Sequence, residues 1–111
     1  MVNRHQLGEF EELVLLTVGI LYKAAYGVAV IDEMERRLNR KVSIGALQTV
    51  LKRLEHKGYL LSEFGESTQV RGGKRKRYFR LTALGSRVLR ETQTQRADMF
   101  NAIPRLAFPK S

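Results

Sequence analysis

Lysine and arginine side chains are concentrated in one segment of the chain, where they would meet an anionic partner. Eight of them and no acid fall within residues 67–90, and six of the eight lie within residues 71–80. Each cation that neutralises a duplex phosphate releases condensed counterions, so such a run favours nucleic-acid binding. Gly72 and Gly73 can bring backbone N–H groups close to a phosphate. The run alone fits equally well a solvated loop that protects an edge strand.

A predicted helix over residues 43–57 precedes this basic run. Ser43 is a candidate N-cap, and Gly58 ends the helical pattern. The apolar residues that recur at helical spacing are Ile44, Leu47, Val50, Leu51 and Leu54. The opposite face begins with small residues at Gly45 and Ala46, which would let the backbone approach a partner. An ordinary surface helix shares this pattern, so its position directly before a basic hairpin carries the functional argument.

A recognition helix in the major groove needs an apolar anchor and a face of short or polar side chains. Glutamine can read adenine, threonine can contact a thymine methyl group, and lysine or arginine can reach guanine or phosphate. The hairpin cations would mainly set affinity, and the helix side chains would set sequence choice. The predicted DNA contacts are Ser43, Gly45, Gln48, Thr49, Lys52, Arg53, Arg71, Lys74, Arg75, Lys76 and Arg77.

Composition argues against several other classes. The chain of 111 residues has a net charge of +9, which suits a polyanionic partner, and no cysteine for a disulfide or thiolate metal site. His5 and His56 are far apart, and no phosphate-binding loop or nucleophile motif is present, so we expect neither enzyme activity nor a cofactor. The longest apolar stretch, residues 13–22, is shorter than the roughly 20 residues of a membrane span, and we expect a cytoplasmic protein.

The elements that must position these residues follow from hydrophobic periodicity and turn signals. The pattern predicts helices over residues 7–23, 28–38 and 43–57, strands over 59–64 and 76–81, and a last helix from Ala83 to about Phe100, capped by Thr82. This order predicts a mainly α fold with a β-hairpin, a winged helix-turn-helix with an additional C-terminal dimerisation helix. We assign residues 1–82 to the DNA-binding domain and 83–111 to the dimerisation helix and tail, in one structural unit.

The first and last helices suggest a homodimer. The first is apolar on almost every side, which hints at burial by a second subunit against its last helix. The acids Glu11 and Glu12 are interpreted as helix-surface residues. The predicted dimer contacts are Phe10, Val14, Leu84, Val88, Met99 and Phe100.

Four stretches carry a resemblance to a known family. They are residues 13–21 with Ala25-Tyr26-Gly27, residues 43–47, residues 51–58, and the run Gly72-Gly73-Lys74-Arg75-Lys76-Arg77-Tyr78-Phe79-Arg80-Leu81-Thr82. Together they cover most of residues 8–92, and the chain resembles the PadR-like transcriptional regulators. The resemblance implies a winged helix-turn-helix homodimer whose last helix crosses to the other subunit. It also implies repression through a roughly palindromic site.

This chain departs from the family pattern at three points. Gln48 stands where relatives often have tyrosine, which leaves base preference open, and Arg75 stands where their wing often has proline. The chain has no tryptophan, whereas some relatives hold flat aromatic ligands between aromatic residues at the dimer interface. Tyr22, Phe10 or Phe100 would have to take that role, so an effector stays unassigned. The short last helix is similar to that of the small subgroup.

Three functions remain open at this stage. The first is a sequence-specific transcriptional repressor that binds double-stranded DNA as a homodimer. The second is an RNA-binding or ribosome-associated winged-helix protein, and the third is a protein-interaction module whose charged hairpin has no binding role. Neither the operator nor the regulated gene follows from the sequence.

Overall fold

The computed structural model of the chain describes residues 7–65 and 75–110. Within these residues, four α-helices and one antiparallel hairpin follow one another as helix, helix, helix, hairpin, helix. The elements are α1 (Glu9–Leu21), α2 (Gly27–Leu38), α3 (Ile44–His56), β1 (Leu60–Phe64), β2 (Arg77–Leu81) and α4 (Ala83–Asn101), with 3-10 turns at Tyr22–Ala24 and Arg105–Ala107. The predicted winged helix-turn-helix fold with an additional C-terminal helix is confirmed.

Two helices begin where their N-caps were predicted, because hydroxyl oxygens accept free backbone N–H groups there. Ser43 Oγ accepts the N–H of Ala46 at 3.2 Å and so caps α3. Thr82 Oγ1 accepts the N–H of Gly85 at 2.9 Å at the start of α4.

Two helices end where the backbone leaves helical geometry. Asn39 adopts the left-handed conformation (φ 53°), so α2 ends at Leu38, the predicted limit. α1 ends at Leu21, two residues before the predicted limit, because Tyr22 departs from helical geometry with φ 53° and ψ −109°.

Hydrogen bonds tie the hairpin to the helices. β1 and β2 pair antiparallel, with Leu60 opposite Leu81 and Phe64 opposite Arg77. The segment between α1 and α2 adds a further contact, since the N–H of Phe79 donates to the carbonyl of Ala25 at 2.8 Å. The orientation of the hairpin is therefore linked to the junction of α1 and α2.

One cluster of apolar side chains joins all the main elements. Its fully buried members include Val14, Leu15, Val18, Val30, Met34, Leu47, Leu51, Leu54, Leu60 and Val88. The predicted stripe on α3 is wrong at its first position, because Ile44 is 51% exposed and α3 reaches the core only from Leu47 onward.

Burial also corrects two expectations about α1 and α4. Val14 and Val88 were predicted at the dimer contact, but they are 0% and 1% exposed within the chain's own core. They therefore cannot contribute to a dimer surface, and this part of the prediction is wrong. The acids Glu11 and Glu12 are 6% and 7% exposed instead of lying on the helix surface. Each has cationic partners that compensate its burial.

Residues 7–65 and 75–110 contain neither a candidate membrane-spanning helix nor a candidate metal site. None of their helices has the length and apolar character needed to cross a membrane. None of their His, Asp and Glu side chains form a group of three suited to holding a metal ion.

Candidate nucleic-acid interface

The inner face of α3 anchors the helix, and its outer face is open. Leu47, Leu51 and Leu54 are buried at 1% exposure or less, so they fix the rotation of α3 about its axis. That rotation turns the predicted contact residues outward. Those on α3 and at its cap are all exposed: Ser43, Gly45, Gln48, Thr49, Lys52 and Arg53.

A groove of about 320 Å³ separates α3 from the hairpin. Gln48, Thr49 and Lys52 line it from the helix, and Arg77 and Phe79 line it from β2. The structure thus brings base-reading candidates and a cation of the hairpin to the same depression. Gly27 lies close to Gln48, since a Cβ there would lie 3.4 Å from Nε2 of Gln48, at the edge of ordinary van der Waals contact.

The described hairpin cations differ in their surroundings. Arg75, Lys76 and Arg77 are exposed, whereas the predicted contacts Arg71 and Lys74 lie outside the described residues. The Nζ of Lys76 stands 4.3 Å from the centroid of the Tyr26 ring, a cation–π contact that holds the ammonium group near the start of α2. Tyr26 was not among the predicted site residues, because its contact with Lys76 depends on the pairing of distant segments.

Arg77 contacts other side chains of the protein itself. Its Nε donates to Ser62 Oγ at 2.8 Å, and its Nη2 lies 3.4 Å from Glu55 Oε1. Its guanidinium carbon lies 5.4 Å from the centroid of the Phe64 ring. Neither Glu55 nor Ser62 was among the predicted site residues. The signal in the sequence is one acid at the end of a predicted recognition helix and one hydroxyl on the next strand.

A carboxylate of α1 holds the end of α3. Lys57 Nζ donates to Glu11 Oε2 at 2.9 Å, and Arg53 Nη1 lies 3.9 Å from the same oxygen. Burial raises the pKa of Glu11, but the bonds from Lys57 and from the backbone N–H of Gly8, with the charges of Lys57 and Arg53, outweigh it and lower the pKa overall. Arg53 therefore has a neighbouring acid, and its side chain is 52% exposed.

Exposed apolar side chains gather toward the chain's C-terminal end. Met99 and Phe100 are 70% and 63% exposed, and Leu106 is 98% exposed. Phe10 and Leu84, also predicted at the dimer contact, are half-buried and pack against the chain's own core. Glu12 accepts hydrogen bonds from Gln93 and Arg96, which attach the middle of α4 to α1.

The fold and this surface define a winged-helix protein in which the exposed face of α3 lies beside a cationic hairpin. Comparison with known families identifies it further. The model of the transcriptional regulator PadR-like family matches residues 14–91, and the chain belongs to that family. Its members are DNA-binding transcription regulators, and membership confirms the resemblance noted from the sequence.

Individual relatives agree with this assignment. An uncharacterised protein of Lysinibacillus sphaericus is 35% identical over 82 residues, which are 72% of each chain. A PadR-like transcription factor from Bacteroides fragilis superposes with a TM-score of 0.71 at 26% identity, over 83% of this chain and 84% of that one. A PadR family regulator from Eggerthella lenta gives a TM-score of 0.69 at 28% identity, over 91% and 83%.

Proposed function

We propose that the chain is a sequence-specific transcriptional repressor that binds a pseudo-palindromic operator as a homodimer in the cytoplasm. One observation carries the specific part of this proposal. Gln48, Thr49 and Lys52 line a groove between α3 and the hairpin, where the exposed cations Arg75 and Lys76 immediately precede β2. Major-groove recognition requires such a helix face, with cations beside it to hold the duplex backbone.

We assign separate roles to the two surfaces. Gln48, Thr49 and Lys52 would read base edges, because their donors and acceptors are exposed on the outward face of α3. Arg75 and Lys76, together with Arg71 and Lys74, would hold phosphates and set the affinity. Ser43 would act through the start of α3, since its hydroxyl already caps the helix.

We infer the dimer from the exposed apolar side chains Met99, Phe100 and Leu106. A soluble monomer seldom exposes a large contiguous apolar patch without a partner. Two-fold symmetry would place two copies of α3 about 34–36 Å apart, one turn of duplex DNA. The two-fold symmetry is the reason to expect a pseudo-palindromic operator, and the spacing sets the separation of its half-sites.

Footprinting on the DNA upstream of the protein's own gene tests the proposal. We expect a protected region with two related half-sites one helical turn apart. Titration at several salt concentrations with this duplex, a scrambled duplex and single-stranded RNA provides the comparison. Equal affinity for operator and scrambled duplex would refute sequence-specific repression, and preference for RNA would support the RNA-binding alternative.

A further inference from the structure

We propose that Glu55 is a positioning residue that holds the hairpin against the recognition helix. Glu55, Ser62 and Arg77 together form this lock, in which Arg77 bridges the other two and does not contact a phosphate. The inference rests on the proposed function only in that the chain must bind duplex DNA. It assigns a task to Glu55, which among the described residues is the one acid that lines the groove between α3 and β2.

Three side chains from three elements form a closed set of contacts. Ser62 Oγ on β1 donates to Glu55 Oε2 on α3 at 2.6 Å. The same hydroxyl oxygen accepts the Nε–H of Arg77 on β2 at 2.8 Å, and Arg77 Nη2 reaches Glu55 Oε1 at 3.4 Å. Both carboxylate oxygens of Glu55 thus face the hairpin, and each strand provides one of the partners.

Aromatic rings restrict the guanidinium of Arg77 further. Its central carbon lies 5.4 Å from the centroid of the Phe64 ring and 6.0 Å from that of Phe79. Phe64 stands directly opposite Arg77 in the strand register, and Phe79 belongs to the core. A guanidinium held by these rings, a hydroxyl and a carboxylate gives up contacts if it turns toward a phosphate.

Because Glu55 is negatively charged, two explanations of its role predict opposite changes in duplex affinity when it is neutralised. A carboxylate in a DNA-facing groove repels phosphates, and a phosphate within about 10 Å would feel it at ordinary salt. On electrostatics alone, neutralising Glu55 should strengthen binding to every duplex. If Glu55 instead holds the hairpin, the same change should weaken binding, because the hairpin cations lose their alignment with α3.

The experiment compares Glu55→Gln with Glu63→Gln. The second variant also removes one negative charge, but it removes it from β1. Glu63 is exposed and has no ion pair among the described residues. We expect Glu55→Gln to weaken duplex binding about fivefold, the size of one half-exposed ion pair. Glu63→Gln should leave affinity unchanged or raise it.

A double-mutant cycle isolates the lock. Arg77→Ala should weaken binding about as much as Glu55→Gln, and the double variant should be no weaker than the worse single variant. Additive losses, or tighter binding by Glu55→Gln, would overturn the proposal. A loss confined to one base position would also overturn it, since Glu55 would then read a cytosine amino group.

Amide hydrogen exchange gives a readout that needs no DNA. In Glu55→Gln, amides of β1 and β2 should exchange about fivefold faster than in wild type, while those of α1 and α2 stay unchanged. Unchanged hairpin exchange would count against the lock whatever the DNA result. If wild-type protein itself fails to bind duplex DNA, the proposed function is wrong, and the exchange result decides the lock separately.

Discussion

At the scale of single residues, the interface contains side chains with different amounts of freedom. Gln48, Thr49 and Lys52 are exposed on the outward face of α3. Lys76 is held over the Tyr26 ring, and Arg77 is bonded to Ser62. A side chain without protein contacts can adapt to a base edge, whereas a restrained cation suits a fixed position beside the helix. These differences lead to distinct expectations for substitution.

Gln48→Ala should reduce operator affinity by about 1–3 kcal/mol at one base position, if this amide reads a base edge. The same variant should bind scrambled duplex as wild type does. Lys76→Ala is the matched contrast, since it should weaken binding to all duplexes and reduce the salt slope by about 0.9. Fluorescence anisotropy with single-base operator variants measures both, and identical profiles would show that Gln48 does not read sequence.

Glu11→Gln should make the fold less sensitive to acid. The pKa of Glu11 lies below its ordinary value of 4.5 in the folded chain, so its charge stabilises the fold above that pH. This stabilisation is lost as pH falls from 4.5 through the lowered pKa. The variant should lose about 1–2 kcal/mol at neutral pH, because the bond from Lys57 loses its charged acceptor.

Urea unfolding of wild type and Glu11→Gln at several pH values measures this difference. The gap between their unfolding free energies should narrow below pH 4.5. Glu9→Gln is the control, because Glu9 is an exposed acid in the same first helical turn and makes no ion pair among the described residues. A constant gap across pH would show that the Glu11 charge does not stabilise the fold.

At the scale of elements, α4 is attached to the winged-helix body mainly through its first turns. Thr82 bridges two elements, since its hydroxyl donates to the carbonyl of Gly58 at 2.6 Å and accepts from Gly85. Gly85 and Val88 are the buried residues of α4, and its surface from Gln93 to Asn101 is exposed. The direction of α4 therefore depends on close packing at its N-terminal end and on the bonds from Gln93 and Arg96 to Glu12.

Gly85→Ala should destabilise the fold even though alanine favours helices. A Cβ at Gly85 would lie 2.1 Å from the carbonyl oxygen of Tyr59, so backbone would have to move. The helix-propensity gain is roughly 1 kcal/mol, whereas overpacking against backbone costs about 1–3 kcal/mol or more. The expected result is a melting temperature lower by several degrees, measured by circular dichroism.

Ser86→Ala on the same turn of α4 is the control for this prediction. Its side chain is half-buried, and truncation to alanine removes only the hydroxyl oxygen. We expect its melting temperature to stay close to that of wild type. A Gly85→Ala protein as stable as Ser86→Ala would show that α4 and β1 can separate without cost.

At the scale of the whole molecule, the chain is elongated, with extents of 61 × 36 × 21 Å. The C-terminal half of α4 and the following residues up to 110 are exposed, and the rings of Phe100 and Phe108 have centroids 5.9 Å apart. Exposed apolar side chains outside the core stabilise the protein only if another molecule covers them.

The double substitution Met99→Ser and Phe100→Ser should convert a dimer at micromolar concentration into a monomer. It removes two side chains that are 70% and 63% exposed in the single chain, so the monomer fold should survive. Sedimentation velocity measures the change, and Leu61→Ser is the control because Leu61 is similarly apolar and 47% exposed, but on β1. A monomeric wild-type protein would refute the proposed dimer.

Much of the architecture could be predicted because its signals are local. Helical spacing of Leu47, Leu51 and Leu54 identified α3, and the hydroxyl caps Ser43 and Thr82 marked two helix starts. Each of these signals depends on residues within about one helical turn, so no knowledge of packing is needed. The concentration of cations before β2 is likewise a property of the chain itself.

Long-range partners were decided only by the tertiary structure. Arg77 and Glu55 are 22 residues apart, Lys57 and Glu11 are 46 apart, and Arg96 and Glu12 are 84 apart. The sequence predicted a DNA contact for Arg77 and an exposed helix surface for Glu11 and Glu12, because charge alone does not specify what lies nearby. Packing of α1 against α3 and α4 buried both acids, and pairing of β1 with β2 placed Arg77 beside Ser62.

The sequence by itself determined the basic segment, the helix α3 and the winged-helix order of elements, since periodicity, caps and charge are properties of the chain itself. Only the tertiary structure decided which cations stay free and which apolar residues remain exposed. Val14 is buried in the core, whereas Phe100 is exposed, although both are apolar residues on helices. That difference depends on which elements surround each helix, and the same packing places Lys76 over the Tyr26 ring and Arg77 beside Ser62.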